Sequence, residues 1–190
     1  MEQLMKSLHI FFTYLNELNL KWHNNIEKAA KPLNAFRNQA EQLRLVKKFE
    51  DNDDNAELPN LKSRLISKIK LGVEEELSLL KEILKEFEIS NKDLKKKLVF
   101  VEQRCEAVET EAMLRGTATQ PAPYLMVEWA EDAWRLYHAF YIQIYGALRC
   151  LNCEDEDSVV RFQTAFQEDA KMKCHIERML AYTKFFVEGF

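Results

Sequence analysis

Apolar residues recur at alternating intervals of three and four positions through most of this 190-residue chain. A first seam comprises Leu4, Leu8, Phe11, Leu15, Leu18 and Trp22, and it resumes with Ala29, Leu33, Phe36, Ala40 and Leu43. A second seam comprises Val73, Leu77, Leu80, Leu84, Phe87, Asn91, Leu94, Leu98, Val101, Cys105, Val108 and Ala112. This heptad spacing places apolar residues along one side of a helix. The pattern therefore predicts long amphipathic helices with coiled-coil-like heptad seams.

Glycine and proline are scarce, with four residues of each. Average chains contain roughly 7% glycine and 5% proline, so this sequence offers little material for tight turns. The scarcity argues against a β-sandwich, a β-barrel or a long βα series. The glycines also lie far apart, which excludes a glycine-rich loop for binding phosphate.

The helical pattern is interrupted at a few places that predict the organisation of the chain. Residues 1–114 read as two long coiled-coil-like helical segments, joined by an acidic loop near 50–59. Pro32 predicts a kink or break in the first segment, because proline removes a helical hydrogen bond. Residues 115–123 form the clearest linker, and 124–190 are expected to form a C-terminal helical hairpin that packs on the first part. The predicted fold is all-α, an elongated helical hairpin or bundle.

The charge balance indicates which partners to expect. The formal net charge is −4, whereas nucleic-acid binding depends largely on positive charges that neutralise phosphates. The lysines at 92, 95, 96 and 97 share a helix with glutamates and leucines, which favours a solvated charged face over an RNA site. No apolar stretch approaches the roughly 18 residues of a membrane span, and the N-terminus lacks a signal-peptide pattern. We expect an intracellular soluble protein without direct nucleic-acid or membrane binding, although RNA contact inside a larger assembly stays open.

The sequence contains no recognisable catalytic or metal-binding constellation. HExxH, GxSxG and P-loop patterns are missing, and no histidine follows a glutamate at the spacing of a di-iron site. Cys150 and Cys153 have the spacing of one zinc ligand pair, but Cys174 and His175 are adjacent and point in different directions on a helix. We therefore predict no catalytic residues, no metal and no cofactor, and hence a protein that is not an enzyme.

The predicted third helix, near 124–151, is rich in aromatic residues. A core stripe that starts at Leu125 and runs through Trp129, Ala133 and Phe140 has Tyr137 at its edge. It leaves Trp134, Tyr141 and Tyr145 on an adjoining face. One interpretation is a helix buried between several neighbours. The other is an intermolecular surface, because tryptophan and tyrosine are favoured anchors in protein interfaces. Trp134, Tyr141 and Tyr145 are the candidate partner-binding residues.

A set of spaced residues resembles a known family along nearly the whole chain. The helix with Trp22 is followed by Lys31-Pro32-Leu33, Ala40-Glu41-Gln42-Leu43 and Pro59-Asn60-Leu61-Lys62-x-Arg64-Leu65. Later come Met126-x-Glu128-Trp129-x-x-Asp132-x-x-Arg135-x-Tyr137-x-x-x-Tyr141 and the ending Phe185-Phe186-Val187-Glu188. In this order and spacing the chain resembles the AIRIM family, ribosome maturation factors that accompany AAA ATPases of the Afg/SPATA type. It departs from the family in the turn from Cys150 to Cys153 and in the lysine-rich middle of the second helix.

The resemblance implies a non-enzymatic adaptor in the cytoplasm and nucleus. Its implied partners are the AAA ATPase and CINP, a second small helical protein, with the pre-ribosomal large subunit engaged indirectly. The complex would release a shuttling factor from cytoplasmic large-subunit precursors, and it would also act in replisome protein turnover on chromatin. The alternative that the sequence leaves open is a generic coiled-coil scaffold subunit of another multiprotein complex.

Overall fold

A computed structural model describes residues 1–48, 60–117 and 120–189. The helices are α1 (Glu2–Lys48), α2 (Leu61–Cys105), α3 (Thr110–Met113), α4 (Pro123–Arg149), α5 (Glu156–Thr164) and α6 (Ala170–Glu188). They contain 86% of the described residues, which include no β-strand. The all-α prediction is therefore confirmed. The acidic loop predicted near 50–59 lies outside the described residues.

The apolar seams account for burial along the two longest helices. Every residue of the first seam is buried in α1, and the second seam is buried at each of its positions from Leu80 to Val101. Burial at this spacing explains why residues of modest helix propensity stay helical, since most helical stability in proteins comes from packing of an apolar face. Whether these helices supercoil as in a coiled coil stays a prediction.

Two residues that can interrupt a helix, Pro32 and Asn91, both lie inside helices, so neither helix breaks there. α1 continues through Pro32, where the sequence predicts a kink or break. The neighbouring Ala29 and Leu33 are buried, and this packing on both sides of the proline offsets the lost hydrogen bond. Asn91 lies inside α2 and is 4% exposed, so it is a buried polar position in the seam and not the tip of a helix break.

The contacts group the chain into two compact units. Unit 1 comprises Met1–His23, Glu86–Ile142 and Glu168–Phe190, and unit 2 comprises Asn24–Lys85 and Gln143–Gln167. The predicted division of the chain into segments 1–114 and 124–190, separated by the linker 115–123, stays a prediction.

An aromatic cluster forms the centre of unit 1. The Trp22 ring lies 4.3 Å from Phe87, 4.7 Å from Tyr137 and 5.9 Å from Phe140, measured between ring centroids. The cluster thus joins α1, α2 and α4, each of which contributes a long apolar face. Trp22 is 1% exposed, and its indole nitrogen has no hydrogen-bond partner among the described residues. Aromatic contact area is therefore what stabilises this position.

Unit 2 contains its own apolar core, built around three phenylalanines. The Phe162 ring lies 5.8 Å from Phe36 and 5.5 Å from Phe166, in edge-to-face arrangements. The N-cap of α5 is Asp155, whose carboxylate accepts a hydrogen bond from the Asp157 amide.

None of the described helices combines the length and the apolar character that crossing a membrane requires.

Candidate protein interaction surface

Two of the three candidate partner-binding residues lie in unit 1, on one side of α4. Trp134 and Tyr141 are both half-buried. His138 lies between them in sequence, and its ring stacks on Trp134 with a centroid distance of 5.0 Å and an angle of 15°. The Tyr141 ring lies 6.5 Å from His138. Because these residues are spaced by four and three positions, they form one aromatic stripe along the helix.

Side chains of α2 border this stripe. The Lys95 ammonium lies 4.3 Å above the centre of the Trp134 ring, a cation–π arrangement. The Asn91 amide nitrogen lies 3.3 Å from Nδ1 of His138, to which it donates a hydrogen bond. The α2 contacts therefore fix the orientation of Trp134 and His138 before any partner binds. Such preorganisation lowers the entropy cost of association.

Tyr145, the third candidate residue, lies in unit 2 and is 40% exposed. The Arg149 guanidinium lies 5.8 Å from the centre of its ring. The ring is thus accessible at the surface of unit 2. Its role in partner binding stays a prediction, as do those of Trp134 and Tyr141.

The positively charged lysines in the middle of α2 each contact a carboxylate or an aromatic ring of the same chain. Lys92 pairs with Glu88, Lys95 with Glu102, and Lys96 with Asp93. The hydrogen bond that the Lys92 ammonium donates to the Glu88 carboxylate also raises the pKa of Lys92. Lys97 lies over the Tyr14 ring, 4.8 Å from its centre. Each lysine therefore has a carboxylate or aromatic partner within unit 1, and this arrangement fits a solvated charged face.

The register of the core stripe on α4 differs from the predicted one. The buried residues are Met126, Ala130, Ala133, Tyr137, Phe140 and Ile144. Trp129 is only half-buried, and its ring stacks on Tyr182 of α6 at 5.7 Å. Tyr137, expected at the edge of the stripe, is 1% exposed and donates a hydrogen bond to Asn19 Oδ1. The core prediction for Trp129 was wrong because the buried stripe begins one residue later, at Met126 and not at Leu125.

This shift creates a surface that the sequence analysis missed. Tyr182 and Phe185 of α6 are 60% and 65% exposed, and Trp129 lies beside Tyr182. The signal for it was the spacing of four and three that connects Met126 to Ile144, which leaves Trp129 outside the core. The two aromatic surfaces on unit 1 thus use different sides of α4.

The buried Tyr137 hydroxyl predicts a measurable pH dependence. Burial raises the pKa of this phenol above the usual value of 10.0, and the Glu168 carboxylate adds to the shift. Because the folded chain holds this proton more tightly than the unfolded chain, the associated stability is complete below pH 10 and falls as the pH rises above it. We expect Tyr137→Phe to cost about 1 kcal/mol of unfolding free energy at neutral pH and to show a shallower alkaline decline.

Urea unfolding at pH 8 and at several values above pH 10 measures both effects. Tyr124→Phe, on the exposed surface of the same helix, is the matched control. An alkaline slope in Tyr137→Phe as steep as that of wild type would contradict the prediction.

The cysteines have no arrangement that indicates a metal site. No group of three or more histidine, cysteine or acidic side chains in residues 1–48, 60–117 and 120–189 is placed to hold a metal ion. Burial raises the pKa of the Cys153 thiol, which disfavours the thiolate that metals and electrophiles require. The Cys153 carbonyl instead accepts a hydrogen bond from Arg44. We therefore interpret the turn from Cys150 to Cys153 as a structural connection that follows the end of α4.

Comparisons with known proteins agree with the resemblance. A family model described as ribosome biogenesis protein C1orf109-like matches residues 2–183. A human protein named AFG2-interacting ribosome maturation factor is 24% identical over 193 aligned positions, which cover 97% of this chain and 95% of the human protein. The resemblance to the AIRIM family is confirmed. The chain therefore belongs to the C1orf109-like family of ribosome biogenesis proteins.

Proposed function

We propose that this chain is a non-enzymatic adaptor that joins an AAA ATPase of the Afg/SPATA type to maturing large ribosomal subunits. The observation that carries the proposal is end-to-end similarity to a human protein whose name records interaction with AFG2 and a role in ribosome maturation. The match covers nearly all of both chains, so no segment of the human protein large enough to form a separate binding domain is missing here.

The structure supports an adaptor in a second way. Trp134 and His138 present aromatic rings on a helix face whose orientation is fixed by Lys95 and Asn91. Tryptophan and tyrosine at such positions are the residues that most often dominate binding energy. Aromatic anchors with preset geometry are suited to binding a protein partner.

The family resemblance supplies the finer parts of the proposal. The chain acts in the cytoplasm with a CINP-like helical protein, and the pair docks on the ATPase to release a shuttling factor from large-subunit precursors. A nuclear pool acts in replisome protein turnover. The pre-ribosome is engaged through the ATPase complex.

The test is purification of the tagged full-length chain from cell extract, followed by mass spectrometry. We expect the AAA ATPase and a CINP-like protein to be recovered in stoichiometric amounts. Depletion of the chain should leave the shuttling factor on cytoplasmic large-subunit precursors, measured by sucrose-gradient fractionation. Recovery of an unrelated complex without the ATPase would favour the alternative, a generic coiled-coil scaffold.

A further inference from the structure

Besides the Trp129–Tyr182 ring stack and its buried side chains, α6 makes only weak polar contacts with the rest of unit 1 among the described residues. Nε2 of His9 donates to the Val187 carbonyl at 3.1 Å, and His23 lies 3.3 Å from Glu168, just before α6 begins. His175 lies 3.7 Å from Asp132 of α4. Each of these three contacts, which join α6 or the residue just before its N-cap to α1 or α4, involves a histidine. A histidine forms an ion pair with a carboxylate only when it is protonated, so the His23–Glu168 and His175–Asp132 contacts are weaker than permanent ion pairs.

Two clefts interrupt the seam between α1 and α6. The larger, of about 320 Å³, is lined by Phe12 and Asn16 of α1 and by Leu180, Ala181 and Val187 of α6, among others. The smaller, of about 160 Å³, lies between Leu20 and Met172. Both clefts are open to solvent, so along this length water separates the two helices where close packing would otherwise join them. Open space along this length of seam therefore weakens the attachment of α6.

Helix α6 also buries few apolar side chains for its length. Its 19 residues include only four buried side chains, namely Ile176, Met179, Thr183 and Phe186. The Thr183 hydroxyl bonds within the helix, to the Met179 carbonyl. By contrast, the 22 residues of α1 in unit 1 bury Leu4, Met5, Leu8, Phe11, Phe12, Leu15, Leu18 and Trp22. Few buried contacts are the mark of a segment with low local stability.

We propose that α6 is a detachable helix. All of α6 dissociates from α1 and α4 in one cooperative step, while the Trp22 cluster stays packed. Undocking exposes the buried face of α6 together with the surface that it covers on α1. The device rests on the geometry of unit 1 alone and is independent of the proposed function.

Native-state hydrogen exchange with mass spectrometry on the full chain tests this. We expect amides across residues 173–187 to share one level of protection, at least about tenfold below that of residues 8–22 and 126–142. A gradient that rises steadily from Glu188 inward would mean end fraying and would overturn the proposal. Exchange of α6 in step with α1 and α4 would also overturn it.

A matched pair of leucine variants tests whether filling the larger cleft slows amide exchange across α6. Ala181 lines the larger cleft, so Ala181→Leu should slow exchange across α6 by about threefold or more. Cys174 is exposed and borders neither cleft, so Cys174→Leu is the control. Leucine has lower helix propensity than alanine but higher than cysteine. If amide exchange across α6 slows only in Cys174→Leu, helix propensity and not packing in the cleft controls exchange. That result would overturn the proposal that packing against α1 holds α6 in place.

Discussion

Replacing Trp22 with alanine lowers the free energy of unfolding by about 3–5 kcal/mol, the range for large-to-small substitutions at fully buried aromatic positions. The reason is the central place of its ring, which contacts Phe87, Tyr137 and Phe140 in unit 1. Removing it leaves a cavity where α1, α2 and α4 meet. Urea unfolding followed by circular dichroism measures the loss.

The other two tryptophans provide controls with the same chemical change. Trp129 and Trp134 are half-buried, and each stacks on one neighbouring ring. Because aromatic pairs contribute about 0.5–1.5 kcal/mol beyond burial, Trp129→Ala and Trp134→Ala should cost clearly less stability than Trp22→Ala. Equal losses at all three positions would contradict the described core.

Replacing Trp134 or Tyr141 with alanine weakens partner binding by about 2 kcal/mol or more, roughly thirtyfold in affinity. We expect this loss toward the AAA ATPase or its CINP-like companion, with the fold retained, because the Trp22 cluster is untouched. Calorimetric titration of the purified partner and the melting temperature of each variant should be measured together.

The matched control for this effect is Trp129→Ala, which removes the same side chain from a different side of α4. Binding that weakens equally in Trp129→Ala would assign the interface to the surface with Tyr182. If Trp134→Ala instead lowers stability by the about 3–5 kcal/mol typical of core positions, then Trp134 serves the fold and not the interface.

The sequence alone determined the helical class and the buried face of α1. Its seam has large apolar side chains at every position from Leu4 to Trp22, and the opposite side is mostly polar apart from the exposed Leu20. Only one rotation of such a helix buries the apolar residues, so the period identifies the core without knowledge of its neighbours. The aromatic richness of α4, and with it the candidate surface, is likewise visible in the sequence.

Only the tertiary structure decided which side of α4 is buried. Two stripes, one starting at Leu125 and one at Met126, are both apolar, and both include Ala133 and Phe140. The first contains Trp129 where the second contains the small residue Ala130, so hydrophobicity favours the wrong one. Both alanines are fully buried, since small side chains let neighbouring helices approach closely, and Tyr137 then reaches Trp22 and Asn19. The choice depends on the shapes of residues distant in sequence, and no local pattern contains that information.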